Sequence, residues 1–446
     1  LFYKSFSAFC AYFFTAVLLL SCSAYQTAPT DMSKTSDGNL TTSGGQKFYL
    51  HKDKNYVDHI RSVTLHPEGN PLLPPIIDLQ IAAPLRLRFD DLKGGYENYY
   101  YSVTHCNFEW EPSSLLPAEY IRGFAEMNIN EAEQSFNTVQ PYTNYTALWP
   151  NDMSVPLLSG NYLLKVYADG NEDAPVFTRR IVVTEQLARF RPNIKASTIV
   201  SERRYRQEVD FDLIQAEFQI FDPYRDLHIA VLQNHRWDNA ILDLEPVFMK
   251  GQEITYDYDE ENNFDGLNEY RWFDSKSLRY AALGTDSIRE RMGEWHYYLA
   301  PDLRRTYEVY RTDQDINGKF IIRNDDFNDN LESEYIYVHF YLPMDHPLLN
   351  SEVYVFGGLT RWNHIPEAKM KWNAQRKRYE ATLYLKQGYY NYMYSVVDPD
   401  HPGGDQALIE GNHQATENKY TILAYCYDPM GYDRVIGVIS TNSFNE

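Results

Sequence analysis

The sequence predicts an all-β protein built of β-sandwiches, and three observations carry that prediction. Apolar and charged residues alternate without a break over Leu85-Arg86-Leu87-Arg88-Phe89-Asp90, and alternation resumes from Asn98 to Cys106 after a turn at Asp91-Leu92-Lys93-Gly94-Gly95. Successive strand side chains point to opposite faces of a sheet, so period two across a Gly-Gly turn reads as a β-hairpin. The 446 residues include 38 Tyr and 23 Phe, types that suit a half-buried pleated surface and let a buried ring keep its hydroxyl hydrogen-bonded. Neither long apolar heptads nor alternating strand–helix units occur, and the length allows two to four domains.

Residues 1–22 read as a lipoprotein export signal rather than as fold: Lys4 supplies positive charge and Ala8 to Leu20 is apolar apart from Thr15. That run is shorter than the roughly 20 apolar residues of a bilayer-spanning helix. It ends at Leu19-Leu20-Ser21-Cys22, a lipobox in which Cys22 takes the lipid. Ser23 follows, and no acidic residue precedes Asp31, so the expected location is the outer membrane, anchored by lipid and facing the periplasm. Residues 23–45, rich in Ser, Thr, Gly and Ala, form a flexible tether.

Three β segments follow. The first, 46–186, holds the hairpin, a polar stretch of helical character near Asn130 to Ser135, and strands at Tyr142 to Trp149, Tyr162 to Tyr167 and Phe177 to Thr184. Some seven strands at this spacing suggest a sandwich of immunoglobulin type. Trp110 is placed to cap its end before Pro112, and the Tyr-rich strand Asn98 to Cys106 offers a surface for fitting against another protein. The middle domain, 187–324, has strands at Glu208 to Asp212, Leu227 to Gln233, Ile254 to Tyr258, Glu269 to Phe273, Glu294 to Tyr298 and Tyr307 to Arg311. The third, 325–446, alternates along Ile336, Val338, Phe340 and Leu342, turns at Lys386-Gln387-Gly388 and ends on a strand at Tyr420 to Tyr427, features of an early-set immunoglobulin-like sandwich. In all, two to three tandem sandwiches are expected.

The chemistry-bearing patterns are weak. A formal charge of −21 repels phosphate and disfavours nucleic acid as a partner. Asp313-Gln314-Asp315-Ile316-Asn317-Gly318 has the oxygen spacing that opens a calcium loop, but the twelfth position is Asn324 and an Asn-Gly hairpin turn explains the segment without metal. No Gly-x-Ser-x-Gly, His-Glu-x-x-His or phosphate loop occurs. His105 and His339 read as satisfied structural imidazoles, and Cys106 and Cys426 as small buried hydrophobes rather than a disulfide. No catalytic residue, metal ligand, cofactor or small-molecule substrate is therefore expected. Val355 to Trp362 and Gly388 to Tyr392 are similar to glycogen-binding modules, in which Trp362 and Trp372 would stack on sugar, but the favoured reading is that both fill the sandwich core or seal its end.

Assembled in order, the segments resemble the plug proteins of the bacterial type IX secretion system. The resemblance rests on Leu85 to Leu92, Cys106-Asn107-Phe108-Glu109-Trp110, Ser159-Gly160-Asn161-Tyr162, Pro175 to Val183, Gln233 to Ala240, Asn268 to Asp274, Asp315 to Phe320, Val353 to Trp362 and Glu410-Gly411-Asn412-His413. It implies a non-enzymatic protein that docks on the periplasmic side of a giant outer-membrane β-barrel translocon and closes it when idle. It assigns no contact residues. The alternative is an envelope carbohydrate-binding lipoprotein.

Overall fold

A computed structural model describes residues 52–215, 218–325 and 329–443, together with three short strand pieces nearer the N-terminus. The first 50 residues are a separate unit in which Ser33–Lys34, Leu40–Thr41 and Lys47–Phe48 pair as a small antiparallel sheet. The expected export signal and Cys22 lie outside the described residues.

The rest is all-β, arranged as three sandwiches. In the first, a sheet ordered 126–128, 99–106, 160–168, 175–184 and 54–55 faces one ordered 131–134, 143–149, 85–91 and 60–67. The hairpin expected at Leu85 to Cys106 is instead split: Leu85–Asp91 pairs with Thr143–Trp149, and Tyr99–Cys106 pairs with Gly160–Ala168 in the opposite sheet. Crossing the Gly-Gly turn thus carries the chain from one layer to the other, which puts Phe89, Tyr99 and Tyr145 in ring contact at the centre of the core. The Tyr-rich face of Tyr99, Tyr101 and His105 is therefore an inner wall and not a docking surface. Glu131–Gln134 is a strand, not a helix. Its Ala132 packs on the core while charged neighbours face solvent, as befits an edge.

The second and third sandwiches are interleaved. The second sets 188–196, 206–215, 253–256 and 248–250 against 241–242, 227–233, 419–428 and 432–442. Leu227–Gln233 pairs antiparallel with Lys419–Asp428, the last strand but one, from Leu227 opposite Cys426 to Gln233 opposite Tyr420. Between these halves the chain builds the third sandwich, in which 271–274, 320–322 and 352–356 flank 388–397 and face 285–291, 294–299, 335–343, 378–386 and 371–373. Strands on both sides of position 324 thus share each of these two sandwiches. Tyr307 to Arg311 forms no ladder. Tyr307 and Val309 are more than four-fifths exposed, so no facing sheet exists to hold a strand there.

The sandwiches lock through buried polar groups. Phe108 and Trp110 pack with Val182 onto Ala230, Leu232, Leu423 and Tyr425, the outer face of the second sandwich. Trp110 is therefore a wedge between the first two sandwiches rather than a cap on one. Asp90, wholly buried, accepts from Lys386 Nζ, the Tyr335 hydroxyl and Asn144 Nδ2 at 2.7 Å each, joining the first sandwich to the third.

Candidate functional site

The segments that look unrelated in sequence meet at one place. Arg180 of the strand Pro175–Thr184 stacks its guanidinium on Trp110 at 4.7 Å and on Trp237 at 5.3 Å. One residue before Trp237, the buried Arg236 lies 4.6 Å over Trp362 and pairs with Asp238 at 2.6 Å. Trp362 in turn closes over Gly318: a Cβ there would sit 2.2 Å from the indole, so only glycine fits beneath it. Arg180 on Trp237 ties the first sandwich to the second, and Arg236 over Trp362 ties the second to the third.

Between them lies a cleft of about 220 Å³ lined by Arg179, Arg180, Arg361, Lys319, Asp53 and His235 over apolar walls that include Leu65, Ile76, Leu232, Trp237 and Trp362. Its cations face mostly neutral acceptors. Arg179 donates to the carbonyls of Thr178 and Lys54, at 2.7 and 3.3 Å, and to Asn55 Oδ1 at 2.8 Å. Lys319 Nζ donates to the Leu72 carbonyl, and Arg361 Nε is buried without a hydrogen-bond partner. Asp53 Oδ1 accepts the Arg180 backbone amide at 2.8 Å. Burial, and then the Lys419 charge, draws the Lys319 ammonium down to about 8. Burial, then Lys319, pushes His235 down to about 2, so its ring is neutral at physiological pH.

Two backbone turns that line the cleft are strained. Asn234, His235, Arg361 and Trp362 all have φ between 55° and 60° or just below, at 55°, 60°, 54° and 56°. For an L-residue this left-handed region costs about 1–2 kcal/mol, and Arg and Trp lack the short polar side chain that lets Asn tolerate it. The packing of Trp362 on Arg236 and Gly318 holds the turn in place.

The residues singled out in the sequence lie elsewhere or are engaged. Asp315 accepts the backbone amides of Tyr270 and Asn317 at 2.6 and 2.7 Å, and Asn317-Gly318 is a turn with both φ positive. Asp313 sits 3.4 Å from the Trp272 indole nitrogen. Trp372 packs edge-on against Tyr379, and one face of Trp362 is covered by Arg236. His105 bridges Ser113 Oγ and the Ser159 carbonyl, at 3.0 and 3.2 Å, and burial lowers it to about 4. His339 contacts His296 and Thr382, at 3.0 and 2.9 Å, in a stack with Tyr298 and Tyr337 whose rings cover one another's faces. Cys106 and Cys426 are free thiols that burial pushes up to about 12, which leaves them unreactive. Among the described residues, Glu208, Asp210 and Asp257 converge as metal ligands would, but the Lys195 ammonium lies 2.9, 2.6 and 3.7 Å from them and fills that position. The convergent cations were missed in sequence. Their one visible signal was the Arg179-Arg180 pair on an otherwise apolar strand.

Beside the cleft, buried Glu269 accepts the Tyr310 hydroxyl and the Glu417 amide, and burial pushes it up to about 7. The fold holds this carboxyl protonated where the unfolded chain, at 4.5, has released it. That stabilisation is complete below pH 4.5 and is lost as the pH rises through about 7. Wild type is expected to lose up to about 3 kcal/mol relative to Glu269→Gln between pH 5 and 8. Urea titrations of both proteins across that range check it, and parallel curves would exclude Glu269 as the cause.

The first sandwich matches the family described as Type 9 secretion system plug protein 1st domain, over residues 60–185. The chain is also similar to a hypothetical protein from Parabacteroides merdae ATCC 43184 known from its crystal structure. That relative is 34% identical and superposes with a TM-score of 0.85, the match covering 89% of this chain and 100% of the other. No curated protein matches the chain. With its first sandwich matched to that domain and a relative aligned along nearly its whole length, the chain belongs to the family of type IX secretion system plug proteins.

Proposed function

We propose that the protein is a non-enzymatic plug of the type IX secretion system, which docks on the periplasmic side of the giant outer-membrane translocon barrel and closes it when idle. The family match over residues 60–185 carries this reading. The architecture supports it physically. A pore wide enough for folded cargo leaks unless a body that resists deformation covers it, and three sandwiches joined by buried ion pairs and an interleaved chain have no simple hinge. A lipid on Cys22 would hold the plug at the membrane and raise its local concentration there. No helix among the described residues is long and apolar enough to cross a membrane.

Docking needs an apolar centre with a polar rim. Leu116, Phe124, Met153 and Leu157 are exposed and gathered around the ribbon of 121–123 and 154–156, where the Phe124 amide donates to the Met153 carbonyl at 2.9 Å. This end of the first sandwich is the contact the proposal favours. Affinity capture of the tagged protein from solubilised outer membranes is expected to recover a very large β-barrel, and Phe124→Asp/Met153→Asp to recover at least about tenfold less. Capture that never yields such a barrel counts against the plug. Equal recovery by the double variant moves the contact elsewhere.

A carbohydrate-binding role is less favoured. Sugar stacking needs a free ring face, and Trp362 has one face under Arg236 while the outer rings around His339 cover each other.

A further inference from the structure

In a chain of net charge −21, the cleft where the three sandwiches meet collects Arg179, Arg180, Arg361 and Lys319 around a single carboxylate, Asp53. Among the described residues, Arg179, Arg361 and Lys319 make no ion pair within 4.0 Å, and the acceptors of Arg179 and Lys319 are carbonyl and amide oxygens. Burying cations without counter-charge is unfavourable unless something neutralises them. Arg361 Nε is buried with its N–H unspent. The backbone adds an independent sign. Arg361 is held in the left-handed region, at φ 54°, by a turn that brings its side chain to the cleft. Strain of this kind persists where geometry serves a purpose. The remaining walls, Leu65, Leu73, Ile76, Leu232 and Trp237, are apolar.

The geometry points to an oxyanion-binding site in this cleft, which takes a carboxylate or phosphate group, with Arg361 and Lys319 meeting the charge and the apolar walls accommodating a short hydrocarbon body when the group carries one. A guanidinium N–H donates to an oxyanion in a charge-assisted bond stronger than one to a neutral acceptor, and the lysine adds a point charge. The site goes beyond the plug reading and does not depend on it.

Titration calorimetry of the purified protein with octanoate, octyl phosphate, inorganic phosphate and octanol tests it. At least one of the three anions is expected to bind, octanol to bind at least about tenfold more weakly, and Arg361→Gln to weaken the anion by about tenfold or more. Inorganic phosphate matching octyl phosphate identifies the free ion as the source of the oxyanion, and a clear preference for the octyl compounds identifies an amphiphile. Lys319→Gln, whose melting curve is compared with wild type, gives the same loss of binding should Arg361→Gln fail to fold. Binding of octanol as tight as octanoate, no anion binding at all, or anion binding unchanged in whichever of the two variants folds would overturn the site.

Discussion

Glu410→Gln is expected to destabilise the protein by about 3–5 kcal/mol, the usual result of breaking a buried ion pair from one side. Glu410 is wholly buried where the chain leaves the third sandwich to complete the second. It accepts from Arg271 Nε at 3.0 Å, from Arg305 Nη2 at 2.6 Å and Nε at 2.9 Å, and from the Tyr394 amide at 2.9 Å. Arg271 continues to Asp302 at 3.0 Å, and both the Tyr392 and Tyr394 hydroxyls donate to that same carboxylate at 2.7 Å. Burial disfavours the Glu410 charge, but Arg271 and Arg305 outweigh it and hold the carboxyl below its ordinary value. Glutamine keeps the shape and one acceptor oxygen, so the loss reports the charge left on two largely shielded guanidiniums, Arg271 and Arg305. Urea unfolding measures it. A loss under about 1 kcal/mol would mean that water reaches the arginines.

The second large effect lies between the first and third sandwiches. Lys386→Met is expected to cost about 3–5 kcal/mol because Asp90 stays behind, buried and charged. Lys386 is 2% exposed, donates to Asp90 and the Asn330 carbonyl at 2.7 Å each, and sits 4.0 Å over the Tyr142 ring. Burial lowers its pKa, opposed by Asp90, so the ammonium is held by that one carboxylate. Asp90→Asn/Lys386→Met should recover a good part of the loss, since no lone charge then remains and Tyr335 and Asn144 still have an amide to bond. A double-mutant cycle in denaturant gives the coupling. Strictly additive losses would show that the pair does not act as a unit, and the join between the first and third sandwiches would then rest on its other bonds, such as Ser62 to Tyr335 and Tyr142 to the Ser333 carbonyl.

The second prediction bears on the proposed function through stiffness. The Asp90–Lys386 network sits at the join between the first and third sandwiches, so breaking it loosens the assembled body before it melts a sandwich. On the plug reading proposed above, a body so loosened should leak, whereas one that keeps the join should not.

The sequence by itself determined the all-β class and the position of most strands, including Leu227 to Gln233, Glu294 to Tyr298 and Ile336 to Leu342, because period-two alternation is set by the backbone of each segment alone. The ordered short motifs also carried the family. Tertiary structure decided which strands are neighbours. Alternation says which face of a strand is apolar but nothing of what covers it, so Tyr99 and Tyr101 passed for a surface, and Leu227–Gln233 gave no sign that its partner is 190 or so positions away, at Tyr420 to Cys426. The cleft was hidden for the same reason. Arg179, Lys319 and Arg361 are ordinary basic residues one at a time, and only the meeting of three sandwiches turns them into a desolvated cluster whose charges must be answered.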